Sequence, residues 1–401
     1  MNVLFLTLLY HPSNVTETLR LSRDGMQNQI NSHEWALVRG LRETLPGTLD
    51  VLNARPVGVF PTRYKRPWLG GARQEPHFRE LGSLNLPYFK QRQRAKRFEK
   101  AMEEWIAASP DNRTILVYTL YLPFMQALRR VKARHGDVRS CCVVTDLPNE
   151  LGIASYRHGA LKTLEHRIGD QRMALCGVFD SYVLLTRAMA EALPARPFLV
   201  MEGLIAGEAP CPPTAQAAKR PTVLYTGTLN RELGIPELLQ AFEAMPEYDL
   251  WLCGHGDMED EIKRRASECA NLRYWGFVPQ EQALALQGQA HALINPRMSS
   301  GVFTRYSFPS KTLEYLRAGK PVLCCKLPGI PDEYDDYLLY FASEDASGIQ
   351  RAVGNLFSAS ADERARIGER GRAFALREKN ERAQCERLTQ FLHSVEALET
   401  L

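Results

Sequence analysis

Residues 303–323 hold a loop, a short helix, a turn and a strand in one run. Pro309 suits the first turn of a helix, where its missing N–H costs nothing. Ser307, two residues earlier, stands near the place of a capping hydroxyl. Gly319 suits the C-terminal stop, with Pro321 after it. Val322, Leu323, Cys324 and Cys325 then form an apolar run of the kind a buried strand needs. Within the helix Ser310 and Glu314 are four apart and Lys311 and Glu314 three apart, so all three share one face. The free N–H groups of a helix start attract an anion, and Lys311 adds a point charge there. A carboxylate one turn later accepts hydrogen bonds from sugar hydroxyls. Phosphate at one end and hydroxyls at the other outline a nucleotide-sugar site. The same spacing also describes a solvated Lys–Glu pair on an amphipathic helix, and spacing alone leaves both readings open.

The rest of the chain repeats this strand–loop–helix grammar. Residues 3–9 read as a strand, residues 10–31 as a loop and a polar segment, and residues 34–41 as a helix. Strands follow at 114–118 and 141–145, with a helix at 124–134 between them, and further strands at 181–185 and 198–203. Alternation of this kind predicts an α/β protein with doubly wound parallel sheets. A chain of 401 residues exceeds one typical core and suits two domains. Residues 207–221 are rich in Pro and Ala without periodicity and read as a linker. The predicted organisation is a first domain over 1–205, a linker over 206–221, a second domain over 222–376 and a last helical segment over 377–401.

Several loops fall where such sheets bind ligands, beyond the carboxyl ends of strands. After the strand at 222–226, Gly227 and Thr228 are placed to offer N–H groups to a diphosphate, with Arg231 as the basic residue of the loop. After the strand at 249–253, Gly254 opens a Gly-x-Gly, weak by itself as a dinucleotide signal. Asp146 directly follows the strand at 141–145; it reads equally as a site residue and as a cap for the next segment. Gly25 allows close backbone approach, or is a plain turn glycine.

The motif Phe308-Pro-Ser-Lys-x-x-Glu-Tyr-x-x-x-Gly-Lys-Pro-Val322 resembles the donor-site motif of the large group 1 (GT4) glycosyltransferases of GT-B fold. The resemblance covers about residues 181–341, and the first half in outline. It implies two Rossmann-like doubly wound domains facing across a cleft, the first on the acceptor side and the second binding the nucleotide-sugar, with the helix at 377–401 crossing back to the first domain. It implies that Glu314 holds the donor ribose and that Ser310 and Lys311, at the helix start, hold the diphosphate, with Lys311 carrying catalytic charge. Where many members have a second Glu, eight residues before the first, this chain has Tyr306 near the donor sugar. Residues 272–279 resemble the segment whose backbone meets the nucleobase, which assigns Phe277 and Val278. Gly25 then belongs to the acceptor-side loop, and Asp146 to the cleft with a catalytic part. The implied reaction is transfer with retention from a nucleotide-sugar, a substrate and not a cofactor, to a hydroxyl of a glycan or lipid-linked acceptor in cell-surface polysaccharide assembly. No essential metal is implied, and the lack of Asp-x-Asp fits this. Two alternatives stay open: a nucleotide-sugar epimerase of the same fold, and an inactive binding partner.

A net charge of +4 is too mild for a nucleic-acid binder. Nine cysteines, an odd number without Cys-x-x-Cys spacing, read as buried thiols of a reducing cytoplasm. Residues 1–10 are apolar but lack a basic start and a cleavage site, so they read as a strand and not a signal peptide. In residues 54–94, Arg55, Arg63, Lys65, Arg66, Lys90, Arg92 and Arg94 interleave with Phe60, Tyr64, Trp68, Tyr88 and Phe89. That mix suits contact with an anionic membrane surface on the cytoplasmic side, or a long solvated insertion.

Overall fold

Unbroken apolar runs, rather than alternating ones, make most of the strands. Such strands are covered on both faces, as in parallel α/β sheets. The computed structural model describes residues 1–23, 26, 28–71, 75–109, 112–148, 160–207 and 217–398. The chain divides into unit 1, Met1–Ala206 with Glu381–Leu401, and unit 2, Gly207–Asn380.

Unit 1 runs β1 (Asn2–Thr7), α1 (Pro12–Leu21), α2 (Asn28–Thr44), β2 (Leu49–Asn53), β3 (Trp68–Leu69), β4 (Phe78–Glu80), β5 (Ser83–Leu84), α3 (Phe89–Ala108), β6 (Arg113–Tyr118), α4 (Leu122–Lys132), β7 (Arg139–Val144), α5 (Ala160–Leu175), β8 (Ser181–Leu184) and β9 (Phe198–Val200). Among the described residues its main sheet has the order β4-β2-β1-β6-β7-β8-β9, all parallel, and β3 with β5 makes a small antiparallel pair. The order reverses direction between β1 and β6, the position where doubly wound sheets bind ligands. The first strand ends at Thr7, two residues short of the sequence reading. The N–H of Leu8 turns instead to Glu34 Oε2 (2.7 Å) and that of Leu9 to Asn53 Oδ1 (2.7 Å).

The polar stretch after β1 is not simply a loop. It forms α1, with Pro12 in its first turn and His11 Nδ1 accepting from the Ser13 N–H. Leu21 of α1 packs with Tyr10, Val57, Tyr64 and Leu69 in a second small core. The insertion after β2 is therefore folded onto α1. Its charges are correspondingly sorted. Arg55, Lys90, Arg94 and Tyr64 are buried, which corrects the reading of residues 54–94 as one basic–aromatic surface. Lys90 Nζ bonds Val57 O, and burial pulls its pKa down to about 7. Arg94 donates to Arg55 O (2.6 Å) and to Tyr121 Oη (2.9 Å).

Unit 2 runs β10 (Thr222–Thr226), α6 (Ile235–Glu243), β11 (Asp249–Cys253), α7 (Glu259–Glu268), β12 (Leu272–Gly276), α8 (Gln280–Gln289), β13 (Ala292–Asn295), α9 (Lys311–Arg317), β14 (Val322–Cys324), β15 (Leu339–Tyr340), α10 (Ala346–Ser358) and α11 (Ala361–Glu378). Its sheet, β12-β11-β10-β13-β14-β15, is again parallel and reverses direction between β10 and β13. The final helix, α12 (Glu381–Leu398), belongs to unit 1 and packs on α2. Gly40 makes this possible: a Cβ there would stand 2.6 Å from Cys385 Sγ and from Glu381 O. An Arg39–Glu381 pair (2.8 Å) closes one end of the contact. The described cysteines are free and all but Cys269 are buried; burial pushes the Cys141 thiol up to about 12.

Candidate active site

The strand ends of unit 2 converge at the reversal point. The loop after β10 lies against the loop after β11. The Gly227 N–H donates to Cys253 O (2.9 Å), the Leu229 N–H to His255 O (3.0 Å) and the Met258 N–H to Leu229 O (3.0 Å). Asn230 Oδ1 accepts from the Asp257 N–H (3.1 Å), and Asp257 Oδ1 accepts from the Arg231 N–H (2.9 Å). Gly254 has φ +137°, and a Cβ there would stand 1.8 Å from Gly227 O. The glycine is therefore demanded by one loop crossing another. With its N–H committed to Cys253, Gly227 is not an open donor for a diphosphate. Thr228 is exposed, but its carbonyl accepts from the Tyr225 hydroxyl (2.8 Å).

The central helix, α9, is seven residues long, with Ser310 at its N-cap and Gly319, at φ +70°, just past its end. Tyr315 fastens it to β10. Its buried hydroxyl donates to Thr226 O (3.0 Å) and accepts from the Thr226 N–H (2.8 Å). One turn earlier, Lys311 is thereby held beside the β10 loop: a Cβ on Gly227 would stand 3.6 Å from Lys311 Cε. Lys311 Nζ donates to Glu314 Oε2 (3.0 Å), and Glu314 Oε1 accepts from Gln287 Nε2 (2.8 Å). Gln287 is fully buried on α8, so it holds the carboxylate from behind. Lys311 and Glu314 themselves stay part exposed, with side-chain exposures of 27% and 32%. The pair expected from spacing exists, and it stands at the strand ends rather than on an unrelated helix face.

Other expected residues are spread around this array. Ser310 is exposed, and its side chain makes no capping bond. Ser307 does not cap α9 either: its hydroxyl donates to Phe303 O (2.8 Å) and accepts from Arg297 Nη2 (2.7 Å). Tyr306 is half-buried beside Arg305. Phe277 is 75% exposed past the end of β12, its ring 5.3 Å from that of His255, and Val278 beside it is half-buried. Arg231 is exposed at the start of a short 3-10 turn.

One cation was not anticipated. Arg297 lies two residues past the end of β13 and 4.4 Å from the Phe303 ring centroid. Burial pulls its pKa down to about 10, with the nearby Tyr225 opposing the shift. Among the described residues its Nε has no partner. The signal was present: an arginine two residues beyond an apolar strand, at the reversal point of the sheet.

In unit 1, Asp146 Oδ1 accepts from the hydroxyls of Thr145 (2.8 Å) and Thr119 (3.3 Å), past the ends of β7 and β6. Gly25 lies outside the described residues. A carboxyl that sequence reasoning passed over stands at the same edge. Glu34 is fully buried, with Oε1 unpartnered among the described residues, and burial pushes its pKa up to about 8. Tyr118, whose hydroxyl meets His33 Nδ1 at 3.0 Å, is pushed well above its ordinary value by burial and then by Glu34 and Asp146.

Comparison with known proteins adds three findings. The family described as Glycosyl transferases group 1 matches residues 212–374. O-antigen chain mannosyltransferase B of Escherichia coli is 29% identical over 147 residues, 34% of this chain and 37% of that one; the match thus spans little more than a third of the relative. Among solved structures, sucrose-phosphate synthase from Thermosynechococcus elongatus superposes with a TM-score of 0.62 at 13% identity, covering 99% of both chains. The catalytic domain of starch synthase IV from Arabidopsis thaliana, bound to ADP and acarbose, superposes with a TM-score of 0.64 at 10% identity, covering 98% of this chain and 99% of that one. At such identities these structures speak for the fold alone. Motif, sheet order and family match agree: residues 212–374 are similar to the group 1 glycosyltransferases, and the fold is GT-B.

Proposed function

We propose that the chain transfers a sugar, with retention and without a metal, from a nucleotide-sugar to a hydroxyl of a glycan acceptor. The observation that carries this reading is the Gln287–Glu314–Lys311 array held against the Gly227 loop. Gln287 leaves Glu314 one oxygen for the ribose hydroxyls of the donor. Lys311, bound to that oxygen now, exchanges it for the diphosphate. Arg297 supplies a second cation beside the same loop system. Charge grows on the diphosphate as the glycosidic bond breaks, so fixed cations there bind the transition state better than the ground state. The mannosyltransferase relative makes a mannose nucleotide the first donor to try, and the O-antigen chain in its name supports a polysaccharide acceptor; a lipid-linked form of that acceptor is part of the same proposal. Tyr306, in place of a second Glu, is the feature that favours an inactive binding partner.

A thermal-shift panel of nucleoside diphosphates and nucleotide-sugars tests the reading, followed by turnover with glycan acceptors. A ligand selective for the native state raises the melting temperature with its affinity. Glu314→Gln is expected to weaken nucleoside diphosphate binding by about tenfold, the worth of one charged hydrogen bond. Unchanged affinity in that variant removes Glu314 from the ribose. Binding without turnover on any acceptor leaves the inactive partner, and donor consumption without acceptor leaves an epimerase.

No helix among the described residues is long and apolar enough to cross a membrane. Peripheral contact is proposed through what stays outside in residues 54–94: Tyr88 (83% exposed) and Phe89 (64% exposed), with the exposed Lys65 and Arg92. Tyr88→Ser with Phe89→Ser is expected to abolish co-sedimentation with anionic vesicles. Equal partitioning of the native protein to neutral and anionic vesicles, or to neither, sinks the electrostatic contact.

A further inference from the structure

Unit 1 has a pocket of about 360 Å³ between α1 and the insertion after β2. Asn14 and Glu17 of α1 form one wall, and Arg66, Trp68 and the backbone of Gly70 another, with Arg55 also in the lining. It lies beyond the carboxyl ends of β1 and β2, the ligand-binding edge of an open parallel sheet, and its volume falls within the range of small-ligand sites.

The pocket rests on an ordered polar network. Arg55 is buried and donates through Nε (3.1 Å) and Nη2 (2.7 Å) to Glu80 Oε1. Glu80 Oε2 accepts from Asn53 Nδ2 (3.0 Å), and Asn14 Nδ2 lies 3.4 Å from both Glu80 oxygens. Glu17 pairs with Arg55 (3.4 Å) through one oxygen and with Arg66 through the other. Two guanidinium groups thus face two carboxylates. The site is dense in donors and acceptors whose charges at Arg55 and Arg66 are already met by Glu17 and Glu80, which suits a neutral, hydroxyl-rich ligand.

Trp68 adds the second half of the pattern. Its indole is 48% exposed, and the Arg97 guanidinium, 5.2 Å from its centroid, holds the ring in place. Arg97 is itself tied to Gly82 O (2.6 Å). A fixed aromatic plate beside planar amide, carboxylate and guanidinium groups matches a pyranose ring, with an apolar C–H face and a rim of hydroxyls.

We propose that this pocket is a subsite for a neutral pyranoside unit of the acceptor glycan, with Trp68 as the stacking surface and Asn14, Glu17 and Arg66 at the hydroxyls. The word acceptor rests on the transferase reading above; saccharide binding itself does not. The test is saturation-transfer NMR of the full chain with methyl mannoside, mannobiose, cellobiose, lactose and chitobiose, with inorganic phosphate as competitor. Thermal shift with nucleoside diphosphates is run alongside. At least one neutral saccharide is expected to bind, and Trp68→Ala to weaken it by about tenfold or more, with Trp68→Phe recovering part. Gly70→Leu gives an independent reading. A Cβ at Gly70 meets nothing within 4 Å, so the backbone there has room to carry a side chain, and a leucine is expected to narrow the pocket. It too is expected to reduce saccharide binding, with nucleotide binding unchanged in all three variants. The subsite is overturned if no neutral saccharide binds, if binding survives both Trp68→Ala and Gly70→Leu, or if phosphate displaces the sugar. Saccharide binding lost in the variants while no nucleotide binds the native protein leaves the subsite standing and removes the transferase reading; nucleotide binding with saccharide binding untouched by the variants does the reverse.

Discussion

Lys311→Ala is expected to lower turnover on the order of 100-fold, the usual loss when one electrostatic contact to a developing charge is removed. Donor affinity is expected to fall much less, because the ground-state diphosphate is also held by other groups and carries less charge at the bridging oxygen. The position supports this. Tyr315 anchors α9 to β10, which keeps Lys311 beside the Gly227 loop, where the Gly227 N–H is already committed and backbone donors are scarce. Lys311→Arg is expected to recover only part, since a planar fork does not place its charge where an ammonium does. Single-turnover and steady-state rates with a responsive donor separate the effects. Arg231 and Arg297 are the competing cations. If Lys311→Ala keeps near-normal turnover while Arg231→Ala or Arg297→Ala loses it, the charge role belongs to the loop ends and not to the helix.

Glu34→Gln is expected to change the pH dependence of stability more than its mean. The carboxyl of Glu34 has an ordinary value of 4.5 and a folded value of about 8. Between these two the folded state keeps a proton that the unfolded chain has lost. Stability from this group therefore falls as pH rises from 4.5 to 8, and the loss is complete above 8. Glutamine is neutral throughout and still offers an oxygen to the Leu8 N–H. Other groups titrate in the same region. Desolvation pulls His33 down to about 4, so its term raises stability up to pH 6.5, and Lys90, at about 7, raises stability above that. Both are present in variant and native protein and cancel in the difference. Urea melts of the two proteins from pH 6.5 to 8 are expected to diverge by about 2 kcal/mol in favour of the glutamine variant, at about 1.4 kcal/mol per pH unit. Parallel curves would mean that Glu34 is ionised in the fold. The same carboxyl holds the turn after β1 through the Leu8 N–H.

What the sequence determined alone was local or periodic. Apolar runs at 222–226, 249–253 and 322–325 predicted buried strands, and each contains one. The turn glycine Gly319 and the shared face of Lys311 and Glu314 are likewise properties of a few adjacent residues, and they survive into the fold. The motif that carries the family resemblance is of the same kind. Tertiary structure decided the rest, because the partners are far apart in the chain. Charge in residues 54–94 said nothing of which groups are buried; Arg55 goes inside because Glu80 meets it, and Lys90 because Val57 O does. Desolvating a cation is costly, so burial follows the partner and not the residue type. Polar residues after β1 became α1 because an apolar side, including Leu21, found Tyr64 and Leu69 on the insertion. Gly254 reads as half of a nucleotide motif until the fold lays Gly227 O against it. Gln287, an unremarked glutamine on α8, became the rear support of Glu314 only through a contact across 27 residues. Periodicity and turn chemistry are set by neighbours in sequence, whereas burial, pairing and the pKa of Glu34 are set by neighbours in space.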